Sequence, residues 1–154
     1  MGVAMTLREY LDDNHVSYDV ITHKETGCSS MTARASHVPG ESLAKGVVLK
    51  WDDGFILAVL PTTRHVELEA VQDIVSGPVT LASEDEASRL FPDCEEGAVP
   101  ALAEAYGLPA VVDDRLCDCD DIYFEGGDHR SLVHISGEHF DRLMCDATHA
   151  RFSS

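Results

Sequence analysis

The clearest pattern in the chain is a pair of apolar runs, Ala44 to Trp51 and Phe55 to Leu60, separated by Asp52-Asp53-Gly54. Asp-Gly between two such runs favours a tight turn, so the pattern predicts a β-hairpin. Elsewhere the spacing is helical. Leu7, Tyr10 and Leu11 would share the inner face of a short helix, opened by Thr6-Leu7-Arg8-Glu9 read as a capping box and ended at Asn14-His15. Leu68, Val71, Ile74 and Val75 repeat that spacing up to Gly77-Pro78. Ser83-Glu84-Asp85-Glu86 reads as a second capping box, and Pro92 closes its helix. A last helix is predicted from Ser136-Gly137-Glu138 to about Met144. Further strands are expected at Tyr18 to Thr22, Val79 to Ala82, Pro109 to Val112, Ile122 to Phe124 and Leu132 to Ile135. Thr26 to Gly40 reads as a loop with a short helix from Met31 to His37. Glu95 to Pro100 reads as a turn-rich loop, followed by one helical turn at Ala101 to Tyr106.

Strands fall in hairpin-like pairs as well as between helices. That predicts an α/β fold with a mixed sheet and flanking helices, rather than a parallel doubly wound one. A chain of 154 residues favours one domain, and at this size roughly two-thirds of the unfolded surface can be buried. The domain is expected to span residues 1–145, with a frayed, flexible tail over 146–154.

Composition narrows the setting. Hydrophobic residues make up 44% and charged residues 25%, a globular balance that argues against wholesale disorder. The longest apolar run, Phe55 to Pro61, is strand length, far short of the ~20 residues that cross a bilayer. Met1 to Tyr10 lacks the basic stretch and apolar core of a secretory signal, and the five cysteines are odd in number and scattered. A cytoplasmic protein with reduced thiols is expected, with no membrane partner. Eleven basic residues against 28 acidic ones leave a net charge of −17. Such a surface repels phosphate backbones at long range. It argues against a protein that coats nucleic acid, DNA included, but not against one that grips a few terminal nucleotides in a local pocket. A solvated acidic surface, or salt adaptation, accounts for the charge equally well.

Candidate chemistry is sparse. In Leu43-Ala44-Lys45-Gly46-Val47 one cation sits among small and apolar residues. An ammonium there could meet a phosphate or a polarised carbonyl. Judged alone, a strand-edge lysine with its head in water is the commoner case. Gly97-Ala98-Val99-Pro100 is a loop without bulky polar side chains, able to present backbone N–H groups to a ribose or a carbonyl, and equally able to be a plain turn. His23 could position substrate or act as a base, though a half-buried structural histidine is more usual. Cys117-Asp118-Cys119-Asp120-Asp121 lacks the spacing of a zinc ribbon, and His129, His134 and His139, five apart, align on neither helix nor strand. An acidic surface loop is the expectation there, with no metal and no cofactor. No nucleophile elbow, P-loop or dinucleotide fingerprint is present.

Taken in order, the segments His37-Val38-Pro39-Gly40, Leu43 to Lys50, Ala58 to Pro61, Glu95 to Pro100, Tyr106-Gly107-Leu108-Pro109, Val112-Asp113 and Gly126-Gly127 form an ordered set. That set resembles the YbaK/EbsC (ProX-like) family of aminoacyl-tRNA deacylases, related to the editing domain of prolyl-tRNA synthetase. The resemblance implies a curved, barrel-like mixed sheet. It also implies hydrolysis of the ester joining a wrong amino acid to the terminal adenosine of tRNA. Lys45 would be the catalytic residue. His23, Gly46, Gly97, Ala98, Val99, Pro100, Gly126 and Gly127 would bind substrate, with water attacking, or helped by a substrate hydroxyl, and no side-chain nucleophile. The partner would be the acceptor end of a mischarged tRNA, with an aminoacyl-tRNA synthetase as a candidate carrier. In the family the loop often carries a second proline, where this chain has Ala101, a change that bears on pocket width and on which amino acid is accepted. Two alternatives stand beside this reading: a non-catalytic module binding an aminoacyl-like or nucleotide ligand in the same pocket, and a metal-dependent hydrolase built on Cys117, Cys119 and nearby histidines.

Overall fold

The computed structural model describes residues 2–24 and 36–154. The predicted Met31 to His37 helix therefore lies almost wholly outside the described residues. Among the described residues, eight strands form one mixed sheet: β1 (Asp19–Thr22), β2 (Leu43–Trp51), β3 (Gly54–Pro61), β4 (Val79–Leu81), β5 (Ala110–Asp113), β6 (Asp121–Glu125), β7 (Ser131–Ser136) and β8 (Thr148–Ala150). Four α-helices flank it among the described residues: α1 (Met5–Asp13), α2 (Leu68–Val75), α3 (Glu84–Leu90) and α4 (Gly137–Leu143). The strands run β1-β7-β6-β2-β3-β5-β8, with β4 joined to β2 off that path. The α/β class and mixed sheet are as expected.

The β2–β3 hairpin forms where predicted, with a shifted turn. Trp51 pairs with Gly54, and the two turn residues are Asp52 (φ 48°) and Asp53 (φ 62°). Both positive φ values match a primed two-residue turn, which follows the twist of the strands. The glycine thus opens β3 rather than making the bend.

β2 is the hub of the sheet. β3 lines one edge from Ala44↔Pro61 to Trp51↔Gly54. On the other edge β6 pairs in parallel only with Leu43 and Ala44, and β4 pairs only with Leu49 to Trp51. The sheet therefore forks just after Ala44. Side chains alternate across a strand. Ala44 and Val48 face the main core, with Leu7, Leu11, Phe124 and Phe140. Leu49 faces a second core under α2, with Ile56, Leu60, Val71 and Phe152. A third cluster of Val38, Leu43 and Leu132 sits at the β7 side. Each fully buried Leu or Phe contributes roughly 1.5–3 kcal/mol through removal of apolar surface from water.

The second capping box is real: Ser83 Oγ accepts the Glu86 N–H while Glu86 accepts the Ser83 N–H. The first is not. α1 begins at Met5 behind Ala4, with no side-chain cap, and the Thr6 N–H donates to Asp93 Oδ2 at 2.8 Å. A carboxylate 87 residues away satisfies the helix start, which no local motif could reveal.

The tail also differs from expectation. Thr148–Ala150 adds to β5 in parallel, from Val111↔Thr148 to Asp113↔Ala150. Phe152 is buried in the second core, and Ser154 and His65 exchange backbone hydrogen bonds at 2.9 Å. Asp113, fully buried, accepts the Phe152 N–H at 3.1 Å and the Ser153 hydroxyl at 2.7 Å. A three-residue strand followed by one isolated Phe carries no periodicity to read.

Candidate functional site

The corner after β6 is held by two carboxylates. Glu125 Oε1 accepts the N–H groups of Gly127 (3.1 Å) and His129 (2.8 Å). Asp128 accepts from the N–H groups of Arg130, Ser131 and Gly2 and from the Ser131 hydroxyl. Burial pushes the Glu125 carboxyl above its ordinary pKa, more than those two N–H groups pull it down. For Asp128 burial also opposes ionisation, but the four donors outweigh it and hold the carboxyl below the usual range. Gly127 must be glycine. Its φ is +114°, and an added Cβ would lie 3.0 Å from Cys94 Sγ and 3.2 Å from Ala4 Cβ.

The Gly97 loop is built onto this corner. The Glu95 N–H donates to the Gly127 carbonyl at 2.8 Å. The His129 ring donates through Nε2 to the Glu96 carbonyl at 2.6 Å. Gly97 itself has φ +81°, and a Cβ added there would lie 3.5 Å from the His129 ring. Of the predicted loop donors, Ala98 spends its N–H on the Glu95 carbonyl, and Pro100 has none. Gly97 and Val99 remain as backbone donors unclaimed within the described protein. Ala98 and Pro100 are buried, and Ala101 is sealed in the main core with Leu102 and Ala103.

His23 and Lys45 reach the same end of the sheet on other strands. The His23 N–H donates to the Arg130 carbonyl at 2.9 Å, extending the β1–β7 ladder to the corner. Its Nδ1 lies 2.6 Å from the Lys24 carbonyl, which only accepts, so the proton sits on Nδ1. Nε2 is then a buried acceptor with no partner among the described residues. Lys45 is half-buried and pairs across β2–β3 with Leu60. One residue beyond Ala44↔Phe124, it comes level with Glu125, at the fork between β2 and β6. A Cβ on Gly46, beside it, would crowd the Leu57 side chain, lying 3.0 Å from its Cδ1. Lys50, by contrast, is half-exposed and salt-bridged to Glu86 at 3.0 Å.

The corner thus gathers Gly126, Gly127, the Gly97 loop and the His23 main chain. Lys45 shares its end of the sheet, on the face away from the main core, whereas the loop runs into that core. Sequence reading missed Thr62. Its N–H donates to the Leu43 carbonyl at 2.9 Å, two residues from Lys45, and its buried Oγ1 has no partner among the described residues. An unpaired buried hydroxyl one residue past the end of β3 leaves no signature in sequence. Cys117 and Cys119 do not converge: Cys119 Sγ donates to the Glu41 carbonyl, while Cys117 Sγ faces His149.

The sequence from residue 23 to 143 matches the profile of the aminoacyl-tRNA editing domain. The chain belongs to that family. Among curated proteins, none matches this chain. Several solved structures share the fold of this editing domain. The crystal structure of the hypothetical protein APE2540 superposes with a TM-score of 0.85 at 20% identity, covering 97% of this chain and 99% of that one. One named a "putative trans-editing enzyme for prolyl tRNA synthetase" gives 0.82 at 20% identity, covering 97% and 95%. A signal-transduction protein from Marinobacter aquaeolei VT8, so named with the qualifier "putative", gives 0.77 at 21%, covering 96% of this chain and 30% of that one. At these identities the likeness establishes the fold. No helix among the described residues is long and apolar enough to cross a membrane.

Proposed function

We propose that this editing domain is a trans-acting deacylase that hydrolyses the ester between a wrong amino acid and the terminal adenosine of tRNA. The observation that carries the reading is the half-buried Lys45 at the fork of β2 and β6, level with the corner on which the Gly97 loop is mounted. In the reaction a water oxygen adds to the ester carbonyl carbon and the bond to the ribose oxygen breaks. That oxygen takes a proton, leaving free amino acid and uncharged tRNA. Negative charge develops on the carbonyl oxygen, or already resides on the terminal phosphate, and an ammonium in a partly dry setting meets either one. The N–H groups of Gly97 and Val99 are the donors left to orient the sugar or the carbonyl. His23 Nε2 and the Thr62 hydroxyl, buried polar atoms without partners among the described residues, would gain one if their side chains turned toward a bound ribose.

An aminoacyl ester is already activated, so positioning and charge stabilisation supply the acceleration without a side-chain nucleophile, and the attacking water can be assisted by a ribose hydroxyl. The surface charge of −17 restricts contact to the acceptor end, or calls for a synthetase to deliver the tRNA. Action in the cytoplasm follows from that substrate. The test is a deacylation screen over tRNAs mischarged with alanine, serine, cysteine, threonine and proline. Release from at least one supports the reading. A panel left intact, together with a thermal shift by an aminoacyl-adenosine analogue, would instead make this a binding module.

A further inference from the structure

A second cluster of chemistry lies away from the Gly97 corner, where β5 runs into a 3-10 turn (Asp114–Asp118) and β8 packs alongside. Asp114, Cys117 and His149 place a carboxylate oxygen, a thiol sulfur and a ring nitrogen within 4.8 Å of one another. We propose that these three side chains bind a divalent transition-metal ion of the zinc class, with water in the fourth position, clipping β8 to the turn after β5.

Three observations support this. Cys117 Sγ and His149 Nδ1 are 3.5 Å apart. Tetrahedral zinc with ordinary Zn–S and Zn–N bonds requires a sulfur–nitrogen separation of about 3.6 Å. Closing the remaining edges to Asp114 takes a shift of at most ~1.5 Å, within reach of a side-chain rotation. Second, the histidine is oriented for ligation from outside the cluster. His149 Nε2 lies 2.8 Å from the Met144 carbonyl, which can only accept, so Nε2 carries the proton and Nδ1 turns its lone pair toward Cys117. A backbone carbonyl on the distal ring nitrogen is the usual outer support of a metal-bound histidine. Third, the setting attracts cations. The charges of Asp141, Asp114, Asp118 and Asp113 all act on the Cys117 position, and such a negative field favours a divalent ion. On binding, the thiol releases its proton to solvent. Thiolate, carboxylate and the ion then sum to zero charge, and the neutral imidazole completes the set.

The test titrates the purified full chain with Co²⁺ alone as a spectroscopic probe, and separately with Zn²⁺ while following the unfolding midpoint. The expected result is one equivalent of Co²⁺ with a thiolate-to-cobalt charge-transfer band, and a rise in Tm with Zn²⁺. Cys117→Ser removes both responses while keeping the metal-free Tm. His149→Ala and Asp114→Asn weaken binding by about tenfold or more. Cys119→Ser and Cys145→Ser leave both responses in place. Absence of the band, its survival in Cys117→Ser, or a Tm indifferent to Zn²⁺ would overturn the proposal. None of these readouts depends on deacylation.

Discussion

The amide of Glu95 and the carbonyl of Gly127, 32 positions apart in sequence, are joined by a 2.8 Å hydrogen bond. That bond docks the Gly97 loop on the corner after β6, where Gly127 adopts φ +114°. Gly127→Ala combines a forbidden backbone with a Cβ crowded by Cys94 and Ala4. It should cost roughly 2–3 kcal/mol of stability, read from urea unfolding, and deacylation should fall further than stability explains because the loop shifts. Gly97→Ala is strained at φ +81° but meets only ordinary contact with His129. It should cost about 1–2 kcal/mol.

Glu125 and Asp113 should have opposite effects on pH dependence. The Glu125 carboxyl is raised by burial, so the folded state holds its proton more tightly than the unfolded chain. The resulting penalty is absent at low pH and grows as pH rises through the carboxylate range. Glu125→Gln keeps an acceptor for the Gly127 and His129 amides. It should gain Tm over wild type at neutral pH and lose that gain in acid. A gain independent of pH would contradict this.

For Asp113 burial opposes ionisation, yet the Ser153 hydroxyl, the Arg115 and Phe152 amides and the Arg115 guanidinium together depress its carboxyl. Its contribution is present above the usual carboxylate range and is lost as pH falls through the lower folded value. Asp113→Ala should cost about 3–5 kcal/mol at neutral pH, because it strands the donors it now receives. The cost should shrink in strong acid.

Phe152 anchors the end of the chain in the second core. Phe152→Ala should cost about 3–5 kcal/mol, read as a lower Tm and earlier hydrogen exchange in β8. A change under about 0.5 kcal/mol, the range of exposed substitutions, would show that the tail is frayed after all.

Local pattern carried far in this chain and failed where distance took over. The hairpin, the Ser83 cap and the Leu7 and Leu11 face were legible, because each depends on residues a few positions apart. Thr6 was misread because Asp93 satisfies its amide from across the fold, and β8 was missed because its register is set by β5 and Asp113. Within the candidate site, the Gly97 loop was readable as one that can present main-chain N–H groups. The loop's usable donors, Gly97 and Val99, emerged only when Ala98 proved to be bonded to Glu95. Thr62 and the proton position on His23 are properties of assembled neighbours and leave no trace in sequence. Cys117 likewise found its partner in His149, 32 positions on, and not in Cys119.

The most direct measurement is single-turnover release of amino acid from the best tRNA of the screen, comparing wild type with Lys45→Ala at matched Tm. Loss of a positioned charge from the transition state should slow release by about 10²–10³-fold, or ~2.7–4 kcal/mol, with Lys45→Arg recovering part of the rate. Release at the wild-type rate by a folded Lys45→Ala protein would contradict the account.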